Sequence, residues 1–168
     1  GLIWLDAHGD MNSAVSSPSG NIHGMPLSCL LGDGAEPLVS IGQRRPALDV
    51  EDVVILGVRA IDTAEASLIR ASGVKTMTMR DLDSYGMQRV MEESLEHLGQ
   101  CSRLHISFDV DFLDPGIAPG VGTRVRGGPN YREAHLAMEL LADTGRVTSV
   151  DVVELNPCLD LENATASL

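Results

Sequence analysis

Five short stretches of the chain are rich in apolar and β-forming residues: residues 2–5, 53–58, 75–79, 104–108 and 147–155. Each is nearly continuous rather than alternating, which is the pattern of a β-strand covered on both faces. Between them lie stretches with helical spacing, roughly residues 25–31, 63–71, 81–98 and 131–143. Over residues 81–98 the apolar positions Leu82, Tyr85, Val90, Leu95 and Leu98 follow the helical period only in part, which predicts an irregular first turn. Strands alternating with helices predict an α/β fold with a mainly parallel sheet and right-handed crossovers. Such sheets bind ligands beyond the carboxyl ends of their strands. Asp6, Asp109 and Glu154 all fall at such ends.

Length and charge narrow the reading. At 168 residues the chain is most simply one domain, and no run is long enough to span a membrane. A formal charge of −12 argues against nucleic acid, whose phosphates need Lys and Arg, and favours a cationic small substrate. Cys29, Cys101 and Cys158 are odd in number, widely spaced and free of any CxxC pair, so reduced thiols in a cytoplasmic protein are expected. The chain opens on Gly1-Leu2-Ile3-Trp4-Leu5, inside an apolar run, and closes on Asn163-Ala164-Thr165-Ala166-Ser167-Leu168 without a final element. A piece of a larger domain is the expectation.

The chemistry gathers in two clusters. Asp6, His8, Asp10 and Asn12 follow the first run at intervals of two, so their side chains share a direction if the backbone stays extended. Asp109 and Asp111, again two apart, follow the fourth run. Four carboxylates brought together cannot all stay ionised without cations. Asp and His suit Mn²⁺ better than a Cys-rich zinc site does, and four acids exceed the needs of one ion, so two ions are expected. His23 lies in the Ser- and Gly-rich stretch of residues 16–26. It could be a satisfied core histidine, but its setting favours proton transfer. Ser19, Asn12 and Asn21 offer donors to an anionic group. His105, inside a strand run, reads as structural; His97 and His135 read as surface or packing residues. The glycine-rich residues 116–128 lack a phosphate-loop GK[ST] and read as an active-site loop around Thr123. Glu154 ends an apolar run and needs a partner, either a guanidinium ligand or a protein Arg such as Arg124 or Arg126.

Taken together, five motifs resemble the ureohydrolase (arginase/agmatinase) family. They are Asp6-Ala7-His8-Gly9-Asp10-Met11-Asn12, Ser19-Gly20-Asn21-Ile22-His23-Gly24-Met25-Pro26, Ser107-Phe108-Asp109-Val110-Asp111-Phe112-Leu113-Asp114-Pro115, Gly127-Gly128-Pro129-Asn130-Tyr131-Arg132-Glu133 and Glu154-Leu155-Asn156-Pro157. The second motif, with Asn12 before it, is closer to the arginases than to the agmatinases. The resemblance implies a three-layer α/β/α fold, truncated at both ends, and a two-manganese enzyme that hydrolyses L-arginine to L-ornithine and urea. It implies Asp6, His8, Asp10, Asp109 and Asp111 as metal ligands, with Asp6 and Asp109 bridging. His23 becomes the proton shuttle, with Asp111 as a second group able to pass a proton, and Glu154 the guanidinium holder. Asn12 and Ser19 would contact the substrate carboxylate, Asp62 its α-amino group, and Thr123 stands where the family's loop threonine does. The family's upstream Gly-Gly-Asp-His segment and its last strand and helices have no counterpart here, and the neighbours of Asp62 depart from the common pattern. Relatives are commonly trimers or hexamers. Alternative readings are a hydrolase of agmatine or another guanidino compound, and an inactive truncated homologue.

Overall fold

The computed structural model describes residues 1–168. Its elements in chain order are β1 (Leu2–Leu5), α1 (Pro26–Leu30), α2 (Glu36–Val39), β2 (Val53–Val58), α3 (Thr63–Ser72), β3 (Lys75–Thr78), α4 (Met79–His97), β4 (Leu104–Asp109), α5 (Tyr131–Asp143) and β5 (Val147–Val153). Short 3-10 turns precede α1 and β2 and follow β4. The five strands form one sheet in the order β3-β2-β1-β4-β5, and every pairing is parallel. This is the parallel α/β architecture that the apolar runs and the resemblance predict. No helix is long and apolar enough to cross a membrane.

Strand geometry divides the core. Successive side chains point to opposite faces. Leu2 and Trp4 therefore join Val53 and Ile55 against Leu27 of α1 and Ile69 of α3. Ile3 and Leu5 join Val54, Leu56 and Ile106 against Leu82, Val90 and Met91 of α4 and Ala137 and Leu141 of α5. The sheet lies between two helical layers because the central strands are apolar on both sides.

Two sequence expectations change, and one element goes unforeseen. The first turn of α4 is regular: the Asp81 carboxylate accepts hydrogen bonds from the Thr78 backbone N–H and hydroxyl, both at 2.7 Å. The irregularity sits further on, at Gly86, where φ is 79° and the helix kinks. The single-turn helix α2 has no clear sequence signal, being too short to show a period. Finally β5 is not covered on both faces: Val150 and Val152 are 55% and 64% exposed at the sheet edge. The strand also stops at Val153, because Glu154 turns into the left-handed region at φ 63°.

Candidate metal centre and substrate cleft

The two acidic clusters meet where β1 and β4 end side by side. In that pairing Leu5 lies opposite Phe108, so Asp6 and Asp109 leave the sheet as neighbours. The intervals of two do not depend on extended backbone, as the pattern suggested, because β1 has already ended at Leu5. They depend on a local turn used twice. The Asp6 carboxylate accepts the His8 backbone N–H at 2.7 Å, and the Asp109 carboxylate accepts the Asp111 N–H at 2.8 Å. Short acids commonly bond their own backbone two residues on. The first turn brings the His8 ring back beside the Asp6 carboxylate.

The resulting contacts are dense. His8 Nδ1 lies 3.3 Å from Asp6 Oδ1 and 3.1 Å from Asp111 Oδ2. Donor atoms of Asp6, His8 and Asp111 all fall within 4.8 Å of one another. Trp4 Nε1 donates to Asp6 Oδ2 at 2.9 Å, the Ala7 N–H to Asp111 Oδ1 at 3.2 Å, and the Thr123 hydroxyl to Asp111 Oδ2 at 2.8 Å. Asp6, Asp109 and Asp111 are buried, at 1%, 6% and 2% exposure. A buried uncompensated charge costs several kcal/mol, roughly what two or three buried aliphatic side chains contribute. No Lys or Arg forms an ion pair with any of them.

The electrostatics follow from that crowding. Burial and the neighbouring Asp6 push Asp10 up to about 9. Burial, with Asp6 and Asp111 close by, does the same to Asp109. Asp6 is also raised, mainly by burial. Burial pulls His8 down, but its bonds to Asp111 and Asp6 outweigh this and raise it to about 10. Burial likewise raises Asp111, and the bond from His8 overcomes it, so Asp111 is lowered. Protonation relieves like-charge crowding when cations are absent, and divalent cations relieve it otherwise. A compact set of carboxylates and one imidazole, oxygen- and nitrogen-rich and free of thiolate, fits a hard divalent ion such as Mn²⁺.

A cleft of about 1050 Å³ opens above the acids. Every predicted site residue lines it except Asp6, which lies beneath its floor. Asn12 and Asp62 come together on one wall, Asn12 Nδ2 donating to Asp62 Oδ2 at 2.9 Å. Asp62 also caps α3, and the Glu65 backbone N–H it accepts, followed by the Asn12 amide, holds its pKa below the usual range. Asn12 is tied from its other side by the Ser16 hydroxyl at 2.8 Å. Ser19 is exposed on the loop above, where its Oγ accepts the Asn21 N–H at 3.2 Å. His23 is exposed in the 3-10 turn before α1, so the reading of a satisfied core histidine falls away. That turn is held by the Asn12 N–H, which donates to the Gly24 carbonyl at 3.2 Å, and α1 behind it is tied to the acids through Asp10, whose carbonyl accepts the N–H groups of Leu27 and Ser28 at 3.1 and 3.2 Å. Glu154 forms no ion pair with Arg124 or Arg126, and Arg124 instead donates to the Leu159 carbonyl. The glycine-rich loop passes beside this carboxylate: a Cβ on Gly122 would meet Glu154 Oε2 at 3.8 Å. His105 links Ser149 and Asp151 across β4 and β5, while His97 and His135 are exposed on α4 and α5.

One group in the cleft escaped the sequence reading. Glu65, 5% exposed on α3, accepts the Met11 N–H at 3.0 Å, and burial raises its pKa. Its only sequence signal was its place three residues after Asp62, which resembles an ordinary helix start.

Known proteins place this geometry in context. The chain is 53% identical to the arginase of Bacillus subtilis (strain 168) over 165 residues, covering 98% of this chain and 56% of the relative. Its fold superposes on the native arginase of Bacillus caldovelox at pH 5.6 with a TM-score of 0.96 and 53% identity, covering 99% of this chain and 56% of that one. An Entamoeba histolytica arginase solved in complex with L-ornithine matches with a TM-score of 0.93 and 36% identity, over 99% of this chain and 56% of that chain. The chain thus spans a little over half the length of the relatives it matches. The profile of the Arginase family covers residues 1–168, and the chain belongs to that family.

Proposed function

We propose that the protein containing this chain hydrolyses L-arginine to L-ornithine and urea, with two Mn²⁺ ions held by Asp6, His8, Asp10, Asp109 and Asp111. The observation that carries the proposal is the convergence of buried acids from two strand ends on the floor of one cleft, with no Lys or Arg pairing them. Bound there, the ions would supply a water activated at neutral pH. The relative captured with L-ornithine supports an amino-acid ligand.

The chain's own residues then have distinct tasks. Glu154 holds the guanidinium through paired hydrogen bonds, fixing the carbon above the acids. Asn12 and Ser19 bind the α-carboxylate and Asp62 the α-ammonium, so the amino-acid end is read on the wall opposite the floor. Asn12 and Asp62 are prepared for this by their mutual bond, which presents a donor and an acceptor side by side. Asp111 is steadied by the Thr123 hydroxyl. The departing amine must leave neutral, and its proton comes from Asp111 or from His23, which stands exposed at the cleft rim.

Manganese titration of the intact protein, with urea release as readout, tests this. Activity should rise with two equivalents of Mn²⁺, and arginine should be turned over at least about a hundredfold more efficiently than agmatine, which leaves the carboxylate partners unpaired. Equal efficiency on the two would reassign the substrate to a decarboxylated guanidino compound. No urea with manganese bound would make the protein a metal-binding homologue without turnover.

A further inference from the structure

Arg59 bridges the two acid-bearing turns and the Thr123 loop yet meets no carboxylate at ion-pair distance. Its backbone N–H donates to the carbonyl of Ala7, between Asp6 and His8, at 2.9 Å. Its guanidinium then crosses to the other cluster. Nη2 donates to the carbonyls of Asp111 at 2.7 Å, Leu113 at 3.2 Å and Val125 at 2.8 Å. Nη1 donates to the carbonyls of Phe112 at 3.0 Å and Gly57 at 3.3 Å. Five carbonyls from three separate stretches of backbone converge on one side chain. The loop is shaped to receive it: a Cβ on Gly128 would lie 2.6 Å from Nη2 and equally close to the Leu113 carbonyl carbon.

We infer that Arg59 is a positioning residue that locks the turn bearing Asp111 to the loop bearing Thr123, and both to the turn bearing Asp6 and His8. The inference rests on the metal reading above. A planar guanidinium can serve several carbonyls around its fork at once, whereas a lysine ammonium offers three donors from a single point. Three of the five carbonyls belong to Asp111 itself and to the two residues after it, so it fixes the backbone from which the Asp111 carboxylate projects. The Thr123 hydroxyl on Asp111 Oδ2 then depends on the Val125 end of the same clamp.

The test uses the intact protein with Arg59→Lys and Arg59→Gln. Circular dichroism reads the fold, calorimetry the binding of Mn²⁺, and steady-state kinetics kcat and KM. Groups that orient metal ligands from behind typically govern affinity by 10–100-fold, so Arg59→Lys should keep the native spectrum and bind Mn²⁺ roughly tenfold or more weakly. At saturating metal kcat should fall while KM for arginine stays within about twofold, because Asn12 and Asp62 lie on the untouched wall. A folded Arg59→Lys or Arg59→Gln that matches the parent in manganese affinity and kcat overturns the inference. So does loss of the native spectrum in both variants, which would make Arg59 a requirement of the fold alone. A parent that binds no Mn²⁺ overturns the metal reading, and this inference with it.

Discussion

His23 and Asp10 illustrate how individual residues divide the work. His23 sits at the rim without a partner that would lock its ring, and Asp10 anchors the start of α1 just behind its turn. In His23→Asn we expect kcat to drop by roughly a hundredfold or more, the usual worth of a proton-transfer group, with two Mn²⁺ still bound. If metal content falls in step with rate, measured by elemental analysis of the purified variant, His23 is a ligand or a structural group instead. Acids and imidazole at fixed intervals were open to reading from sequence because their types announce their chemistry. Glu65 and Arg59 were not, since their partners are backbone N–H and C=O groups, which every residue carries and no sequence distinguishes.

At the level of elements, the runs located all five strands to within two residues, most cleanly β1 and β2, which are buried throughout and unbroken in apolar residues. The same rule failed for the surroundings of β5, since a valine-rich run looks alike whether or not helices cover it. It also missed the kink at Gly86, where one glycine in a helical pattern leaves the outcome to tertiary context. Gly57 is a case where the element depends on having no side chain. It stands in the irregular step between Leu56 and Val58, at φ 98°, with the space for a Cβ taken by the Phe112 ring. Gly57→Ala should therefore destabilise the fold by about 3 kcal/mol, combining left-handed backbone strain with overpacking. Chemical denaturation would measure it, and a loss below about 1 kcal/mol would mean that the ring yields freely.

The whole molecule inherits the acid cluster as a pH dependence. Without metal, Asp10 and Asp109 hold their protons up to about 9, far above their value in an unfolded chain, so the fold binds protons that the unfolded chain has released. His8, raised to about 10, acts in the same sense, its contribution complete below its unfolded value and lost as pH rises through the folded one. The metal-free protein should accordingly lose stability as pH climbs from about 5 to 9, several degrees in Tm. Asp111, shifted downward, acts only at lower pH and does not offset this. Saturating Mn²⁺ should flatten or reverse the trend, because metal binding displaces those protons and strengthens as pH rises. Melting curves at three pH values with and without Mn²⁺ decide the matter, and a metal-free Tm that rises with pH would contradict the crowding described for the site.

The free margin of β5 has its own outcome. It offers a line of unspent amide and carbonyl groups, bordered by Val150 and Val152. Pleated backbone of this kind is a template on which another extended segment can pair through its main chain. Two copies meeting there would stitch together like cloth joined at the selvedge, so the loss of any cover along that border would favour ordered deposits.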